Sequence, residues 1–230
     1  GKQVKSNYLF FYLLVLFPYK DDNPRILFPF VTFSIIFINV LIFIFQFYTT
    51  WNNPYTEQNV IYRFGFIPNE FNLFDVITSM FMHGGLGHLI GNMWFLYIFG
   101  DNIESILGHV KFFLFYLICG IFAAITQFLF DPGSSIPMVG ASGAIAGVLG
   151  AYMIRFPKAR VHVLAIVFIF ITTIAVPAQI VLGVWLLIQL SSGLSSIGID
   201  TNGGVAWFAH IGGFIAGVGL LKYFQNFNME

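Results

Sequence analysis

The sequence predicts an all-α membrane protein with six transmembrane helices, and three observations support this prediction. Hydrophobic residues make up 58% of the 230 residues, charged residues only 9%, and the mean hydropathy is +0.84. Soluble domains carry about 25% charged residues. The 30 phenylalanines exceed what a soluble protein of this size can hide from water. Long charge-free segments recur along the chain and are long enough to cross a bilayer.

Six such segments are the candidate spans, since a helix needs about 20 apolar residues to cross a ~30 Å hydrocarbon core. The fifth lies within a charge-free stretch, residues 161–199, that has room for one span or two. Its first part, residues 161–173, is β-branched and aromatic, so it either lies at the inner membrane interface or extends the fifth helix. The candidate spans are residues 26–48, 76–100, 112–130, 132–154, a fifth near 177–190, and 201–221.

Basic residues favour six spans with both termini in the cytoplasm, because cytoplasmic loops are enriched in Lys and Arg. This arrangement places nine of the ten basic residues inside and leaves Arg63 outside. Seven spans would move Lys222 outside and invert the last helix. We therefore predict a multi-pass cell-membrane protein with an N-terminal cytoplasmic or interfacial segment, residues 1–25, and a C-terminal tail, residues 225–230.

Composition also excludes several classes of partner and cofactor. A net charge of zero gives no basis for binding nucleic acid. Cys119 is the single cysteine and lies in an apolar run, which favours a packing role. His83 and His88 have no third ligand at metal-binding spacing, so we expect no metal and no cofactor. The apolar residues 8–17 are too short to span and lack a signal-peptide cleavage site, which favours an interfacial anchor.

A serine and a histidine lie at matching depths in the fourth and sixth spans. Ser142 precedes Arg155 by 13 residues and His210 precedes Lys222 by 12, or roughly 20 Å and 18 Å of helix at ~1.5 Å per residue. A histidine next to a serine makes the hydroxyl nucleophilic. No acidic residue lies in the outer half of any span, so the sequence predicts a Ser142–His210 dyad rather than a triad.

Small residues on both helices favour close packing around this dyad. Gly143 and Gly147 on the fourth span, and Gly213 and Gly217 on the sixth, have the small-xxx-small spacing that brings membrane helices together. Such glycines alone are also common in ordinary membrane helix packing. Together with the matched depth of Ser142 and His210, they favour an active site between the two helices.

Two further polar residues are candidates for binding an oxyanion. His88 and Asn92 are four residues apart on the second span and share one helix face. Both side chains can donate hydrogen bonds, as can backbone N–H groups at the start of the helix that carries Ser142. Either side chain alone could instead join helices structurally. Residues 131–137 contain Pro, Gly and Ser and predict a non-helical, water-lined path from the extracytoplasmic side to Ser142.

The chain resembles the rhomboid family of intramembrane serine proteases over about residues 17–224. Four motifs occur in the family's order: FPYKDDNP before the first helix, TSMFMHGGLGHLIGNM with FGDNIE on the second, GASG at residues 140–143, and AHIGGF at residues 209–214. The resemblance implies a six-helix rhomboid bundle, a membrane-edge first loop at residues 51–75, and a protease domain at residues 26–224.

The resemblance also implies residue roles. Ser142 is the nucleophile and His210 the general base and then acid. The Ser142 N–H, His88 and Asn92 form the oxyanion hole, and His83 contacts nearby loop structure or water. The supporting residues are Gly140, Gly143 and Gly213.

The implied substrates are transmembrane proteins in the lipid bilayer, cleaved near the extracytoplasmic face. They would enter by the fifth helix and residues 194–202. One departure is Ala146, because some family members have an aromatic residue there that stacks on the catalytic histidine. The alternative is a catalytically inactive rhomboid-like protein that binds membrane clients. Such relatives lose the serine or the histidine, whereas this chain keeps both. A channel or transporter is a weaker alternative, because it would show half-helices or internal repeats and neither is evident in the sequence.

The predicted orientation can be tested with single cysteines in a Cys119→Ala background. Ser135→Cys and Thr201→Cys should react with a membrane-impermeant thiol reagent added to intact cells. Lys158→Cys should stay unlabelled until the membrane is permeabilised, because residue 158 follows the fourth span on the cytoplasmic side. Labelling of Lys158→Cys alone in intact cells would reverse the orientation.

Overall fold

The computed structural model describes residues 17–51, 54–167, 170–196 and 205–226, and this part of the chain is mostly helical. Its elements run in the order β1, α1 to α6, β2, β3, α7 and α8, with a short 3-10 turn at Pro68–Glu70. The strands are β1 (Phe17–Asp21), β2 (Arg160–Val167) and β3 (Phe170–Pro177). The helices are α1 (Phe30–Thr50), α2 (Pro54–Phe64), α3 (Leu73–Ser79), α4 (Leu86–Leu107), α5 (His109–Phe130), α6 (Ser142–Arg155), α7 (Ala178–Ser196) and α8 (Trp207–Asn226).

Four of the described helices are long and apolar enough to cross a membrane, namely α1, α5, α7 and α8. The six-helix count of the sequence stays a prediction, with α4 and α6 as the two further spans. The second predicted span begins too early, because residues 73–79 form the separate helix α3 and α4 begins at Leu86. The fourth predicted span, residues 132–154, is helical only from Ser142. The Pro, Gly and Ser residues at 131–137 led us to expect this non-helical start.

A three-stranded antiparallel sheet shows that the all-α prediction is wrong for part of the chain. Strand β2 lies in the centre and pairs with β1 and β3. The option that residues 161–173 extend the fifth helix is therefore also wrong, since α7 begins at Ala178. β-branched side chains favour strands, and burial alternates along β2, with Val161 and Val163 buried and His162 and Leu164 only partly covered. The predicted interfacial position of this segment stays a prediction.

The first loop, residues 51–75, is partly helical as the resemblance implied, since it contains α2, the 3-10 turn and the start of α3. Its position at the membrane edge stays a prediction. The interfacial anchor proposed for residues 8–17 lies almost wholly outside the described residues. So do most of the proposed entry loop, residues 194–202, and most of the C-terminal tail.

Helices α6 and α8 approach each other closely enough to bring their backbones into contact. An ideal Cβ atom on Gly213 would lie 2.0 Å from the Gly143 carbonyl oxygen, and one on Gly217 would lie 1.9 Å from that of Gly147. A Cβ on Gly143 would lie 2.5 Å from the Ala123 Cβ on α5. Any larger side chain at these positions would push the helices apart. The packing of α6, α8 and α5 therefore depends on glycine.

The start of α1 is capped by a carboxylate from another helix. Glu104 on α4 is fully buried and accepts hydrogen bonds from the Val31 N–H (2.8 Å) and the Thr32 N–H (2.7 Å). The Thr32 hydroxyl (2.6 Å) and His109 Nδ1 (2.6 Å) also contact this carboxylate. The first N–H groups of a helix have no intrahelical partner and favour a negative charge. Glu104 therefore fixes α1 against α4.

Strand β1 is held on the helices by polar contacts. The Trp94 Nε1–H on α4 donates to the Pro18 carbonyl oxygen at 2.7 Å. The Tyr152 hydroxyl on α6 donates to the Asp21 carboxylate, which also accepts from the Asn102 amide at 3.2 Å. Burial raises the pKa of the Asp21 carboxyl to about 6. These contacts join β1 to α4 and to the C-terminal part of α6.

The glycine contacts predict a sharp difference between two substitutions on α8. Gly213→Ala should lower the melting temperature in detergent by several degrees, because overpacking costs about 1–3 kcal/mol. Gly219→Ala on the same helix should leave it unchanged or raise it slightly, because no described atom outside its own stretch of helix lies within 4 Å of its Cβ position and alanine favours helix. Equal melting temperatures for Gly213→Ala and the parent would show that α6 and α8 are not in contact there.

Candidate active site

Ser142 is the first residue of α6, and the segment before it is held by the first loop and by the end of α3. Phe66 and Met138 form an isolated antiparallel bridge, with N···O distances of 3.0 and 2.8 Å. The Gly140 N–H donates to the Ser79 carbonyl oxygen at 2.9 Å. The N–H groups of the first helical turn lack intrahelical partners. The fold therefore presents the Ser142 hydroxyl beside a set of free backbone donors.

Ser142 and His210 are in direct contact. His210 Nε2 lies 2.8 Å from Ser142 Oγ, within hydrogen-bond distance, although 67 residues separate the two along the chain. His210 is 8% exposed and lies in the first turn of α8. The matched depths predicted from Arg155 and Lys222 agree with this contact.

Three side chains that the sequence analysis did not single out contact the His210 ring. Gln189 on α7 places its Oε1 atom 2.6 Å from His210 Nδ1. The Trp185 and Trp207 rings lie 5.8 and 6.3 Å from the imidazole, centre to centre. All three side chains belong to α7 or α8, whereas Ala146 on α6 offers the imidazole no aromatic ring. The available signal was Gln189 itself, one of two glutamines in an otherwise apolar span and four residues after Trp185.

Gly140 brings the backbone next to His88 and Asn92. Its φ of +117° lies in the region that favours glycine. An ideal Cβ there would lie 2.7 Å from His88 Nε2 and 3.3 Å from Asn92 Nδ2. Asn92 is buried, and its Nδ2 atom has no hydrogen-bond partner among the described residues. The two candidate oxyanion donors therefore both lie beside Gly140, which is two residues before Ser142 in the chain.

His83 lies behind His88. Its ring is buried, packs edge-on against the His88 ring at 5.3 Å, and finds no hydrogen-bond partner in the described chain. Its backbone is fixed by Gln46 of α1, whose Nε2 donates to the His83 carbonyl oxygen at 2.7 Å. His83 therefore supports the position of His88 and does not reach Ser142 directly through any described contact.

A cavity of about 520 Å³ joins these groups. It is lined by Ser142, His210, His88, Asn92 and Gly140, and its wall includes Trp185 of α7. Within residues 17–51, 54–167, 170–196 and 205–226, no three His, Cys, Asp or Glu side chains are grouped to hold a metal ion. The cavity thus brings together a serine hydroxyl, an imidazole and hydrogen-bond donors. These are the groups that acyl transfer requires.

Comparison with known proteins identifies relatives of this chain. The Rhomboid domain model matches residues 70–226, more than half of the chain. Rhomboid protease GluP of Bacillus subtilis is 31% identical over 190 residues, which cover 81% of this chain and 33% of that protein. Rhomboid protein 1, mitochondrial, of Saccharomyces cerevisiae is 27% identical over 208 residues, covering 88% of this chain and 54% of that protein.

A human relative, the mitochondrial presenilin-associated rhomboid-like protein, is 33% identical over 139 residues, 59% of this chain and 35% of that protein. The matches thus cover about a third to a half of the length of these curated relatives. The matched region, residues 70–226, contains α3 to α8 and both Ser142 and His210. Taken with the four motifs and the helical fold, this match shows that the chain is a membrane protein of the rhomboid family.

Proposed function

We propose that this protein is an intramembrane serine endopeptidase that cleaves transmembrane protein substrates. The observation that carries the proposal is the 2.8 Å contact between Ser142 Oγ and His210 Nε2 in a cavity lined by hydrogen-bond donors. An inactive, client-binding relative has no need of such a contact. The name of the Bacillus subtilis relative, a rhomboid protease, supports the same activity.

The proposed reaction proceeds through an acyl-enzyme. Ser142 Oγ attacks the carbonyl carbon of the substrate peptide bond while its proton passes to His210 Nε2. The tetrahedral intermediate collapses, the C–N bond breaks, and His210 returns the proton to the departing amine. A water molecule then gives a proton to His210 and attacks the acyl carbon. The ester bond breaks and Ser142 recovers its proton, which releases the second product as a carboxylic acid.

The oxyanion of both intermediates would be bound by the Ser142 N–H, His88 and Asn92. Electrostatic stabilisation by preorganised donors is commonly the largest contribution to such catalysis. The unpartnered Asn92 Nδ2 supports this assignment, because a buried donor without a partner is costly. Its hydrogen bond would form as negative charge develops on the substrate oxygen.

The site is proposed to open to the extracytoplasmic side of the cell membrane, with both termini in the cytoplasm. In this arrangement α4 and α6 are also spans, which gives six, and residues 26–224 form the protease domain. Helix α6 has 14 residues and so measures about 21 Å at ~1.5 Å per residue, less than the ~30 Å core. A short α6 that starts inside the membrane is consistent with a water-lined entrance along residues 131–141.

The nucleophile is tested by Ser142→Ala. The variant should lose all detectable cleavage of a model transmembrane substrate in proteoliposomes, because no other described hydroxyl contacts His210. Its melting temperature should stay near that of the parent. Ser135→Ala, a change to an exposed serine of the preceding loop, is the matched control and should cleave at the parent's rate. Cleavage by Ser142→Ala at that rate would exclude this serine as the nucleophile.

The oxyanion assignment is tested by Asn92→Ala. Loss of one such donor typically lowers kcat by about 10²–10³-fold, and the two remaining donors should keep the loss near the lower figure. Asn39→Ala, which removes another buried asparagine whose amide donates within α1, should leave kcat near the parent value. An unchanged kcat in Asn92→Ala would indicate that Asn92 serves in helix packing and does not bind the oxyanion.

A further inference from the structure

The His210 ring is contacted through both nitrogens, and only one of these contacts belongs to the proposed dyad. Nε2 faces Ser142, while Nδ1 lies 2.6 Å from Oε1 of Gln189. Gln189 is 5% exposed and belongs to α7, whereas His210 belongs to α8. The amide is therefore a buried partner brought to the base by a neighbouring helix.

The Gln189 oxygen beside Nδ1 favours one tautomer of the His210 ring. A carbonyl oxygen only accepts hydrogen bonds, so Oε1 of Gln189 requires a hydrogen on Nδ1. In a neutral imidazole Nε2 then has a free lone pair and accepts the Ser142 O–H. The opposite tautomer would place a hydrogen between Nε2 and Ser142 Oγ and could not remove the serine proton. In serine proteases with a triad, the partner of Nδ1 performs the same selection.

A neutral amide suits this position better than a carboxylate does. An ionised carboxylate buried without a full set of partners costs much more free energy than an amide. An amide also has precedent as the third member of a nucleophile–histidine arrangement, in cysteine proteases of the papain type. The amide would therefore orient His210 without placing a formal charge in the apolar bundle.

Aromatic contacts complete the support of the ring. Trp185 lies four residues before Gln189 on α7, so both side chains share one helix face. The Trp185 ring is tilted by 37° to the imidazole, and Trp207 meets it edge-on at 88°. Ala146 on α6 offers no ring to the imidazole. Helix α7 therefore provides His210 with both a hydrogen bond and a neighbouring aromatic ring.

We propose that Gln189 is a positioning residue that holds His210 in the tautomer and orientation needed for general-base catalysis. The proposal rests on the proposed protease function and assigns to α7 a part in the chemistry. A Gln189 that merely joined α7 to α8 would affect stability but not the His210 tautomer.

The test compares Gln189→Leu, which removes the acceptor, with Gln189→Glu, which keeps an acceptor oxygen at the same position. Gln179→Leu, at an exposed site in the first turn of α7, is the matched control. Each purified protein is assayed for kcat and KM on a model transmembrane substrate. Histidine nitrogen NMR reports the His210 tautomer, with the His210 signals assigned by their loss in His210→Gln.

We expect Gln189→Leu to lower kcat by about 10–100-fold with little change in KM, because the amide orients the base and does not bind substrate. Its His210 signals should change from a single Nδ1–H form to a mixture of tautomers. Gln189→Glu should recover much of kcat, and Gln179→Leu should match the parent. If Gln189→Leu fails to fold, Gln189→Asn replaces it, because its shorter side chain withdraws the oxygen while keeping the amide.

Two results would overturn the proposal. One is a kcat and a His210 tautomer in Gln189→Leu that equal those of the parent. The other is an equal loss of kcat in Gln189→Leu and Gln189→Glu with the tautomer unchanged, which would indicate packing alone. A parent that does not cleave would instead refute the proposed function. The NMR comparison would then still decide whether Gln189 sets the tautomer, since that readout needs no turnover.

Discussion

The backbone contact between α6 and α8 is the constraint on which the rest of the structure depends. At Gly143–Gly213 and again at Gly147–Gly217, a Cβ on the α8 residue would fall within 2.0 Å of a carbonyl oxygen on α6. Only helices without side chains along this seam can approach so closely. The first turns of both helices are thereby brought together, and Ser142 and His210 lie in those turns. A hydrogen bond of 2.8 Å across two helices follows from the glycine spacing.

The other elements position groups around this contact. Helix α4 presents His88 and Asn92 to the cavity. Glu104 on the same helix, twelve residues after Asn92, caps α1. The first loop holds the chain before Ser142 through the Phe66–Met138 bridge. Helix α7 supplies Gln189 to the far side of the His210 ring. Many of the buried polar side chains lie near helix ends or around the cavity, whereas Asn39 bonds within α1.

Part of this arrangement could be predicted from the sequence because it depends on spacing along single helices. The start of α6 at Ser142 and the shared face of His88 and Asn92 are of this kind. The hairpin of β2 and β3 could not be predicted in the same way, because a β-branched apolar run fits a strand or a membrane helix. The end of α4 was misplaced because Asp101 and Glu104 are buried inside the helix and do not end it.

Contacts between side chains of different helices were the least predictable part. The relative rotation of α7 and α8 decides whether Gln189 contacts His210. The residue pattern within either helix gives no information about that rotation. The departure at Ala146 indicated only that some other group must orient the imidazole. The structure supplies Gln189 and two tryptophans for that purpose.

We propose that the close approach of α6 and α8 makes Ser142 a nucleophile. The most direct measurement is the mass-spectrometric position of a fluorophosphonate adduct on the detergent-solubilised protein. We expect one adduct per chain, on Ser142, and its loss in His210→Ala, whose serine lacks the base. An adduct on another serine, or equal labelling of Ser142 in parent and His210→Ala, would contradict it.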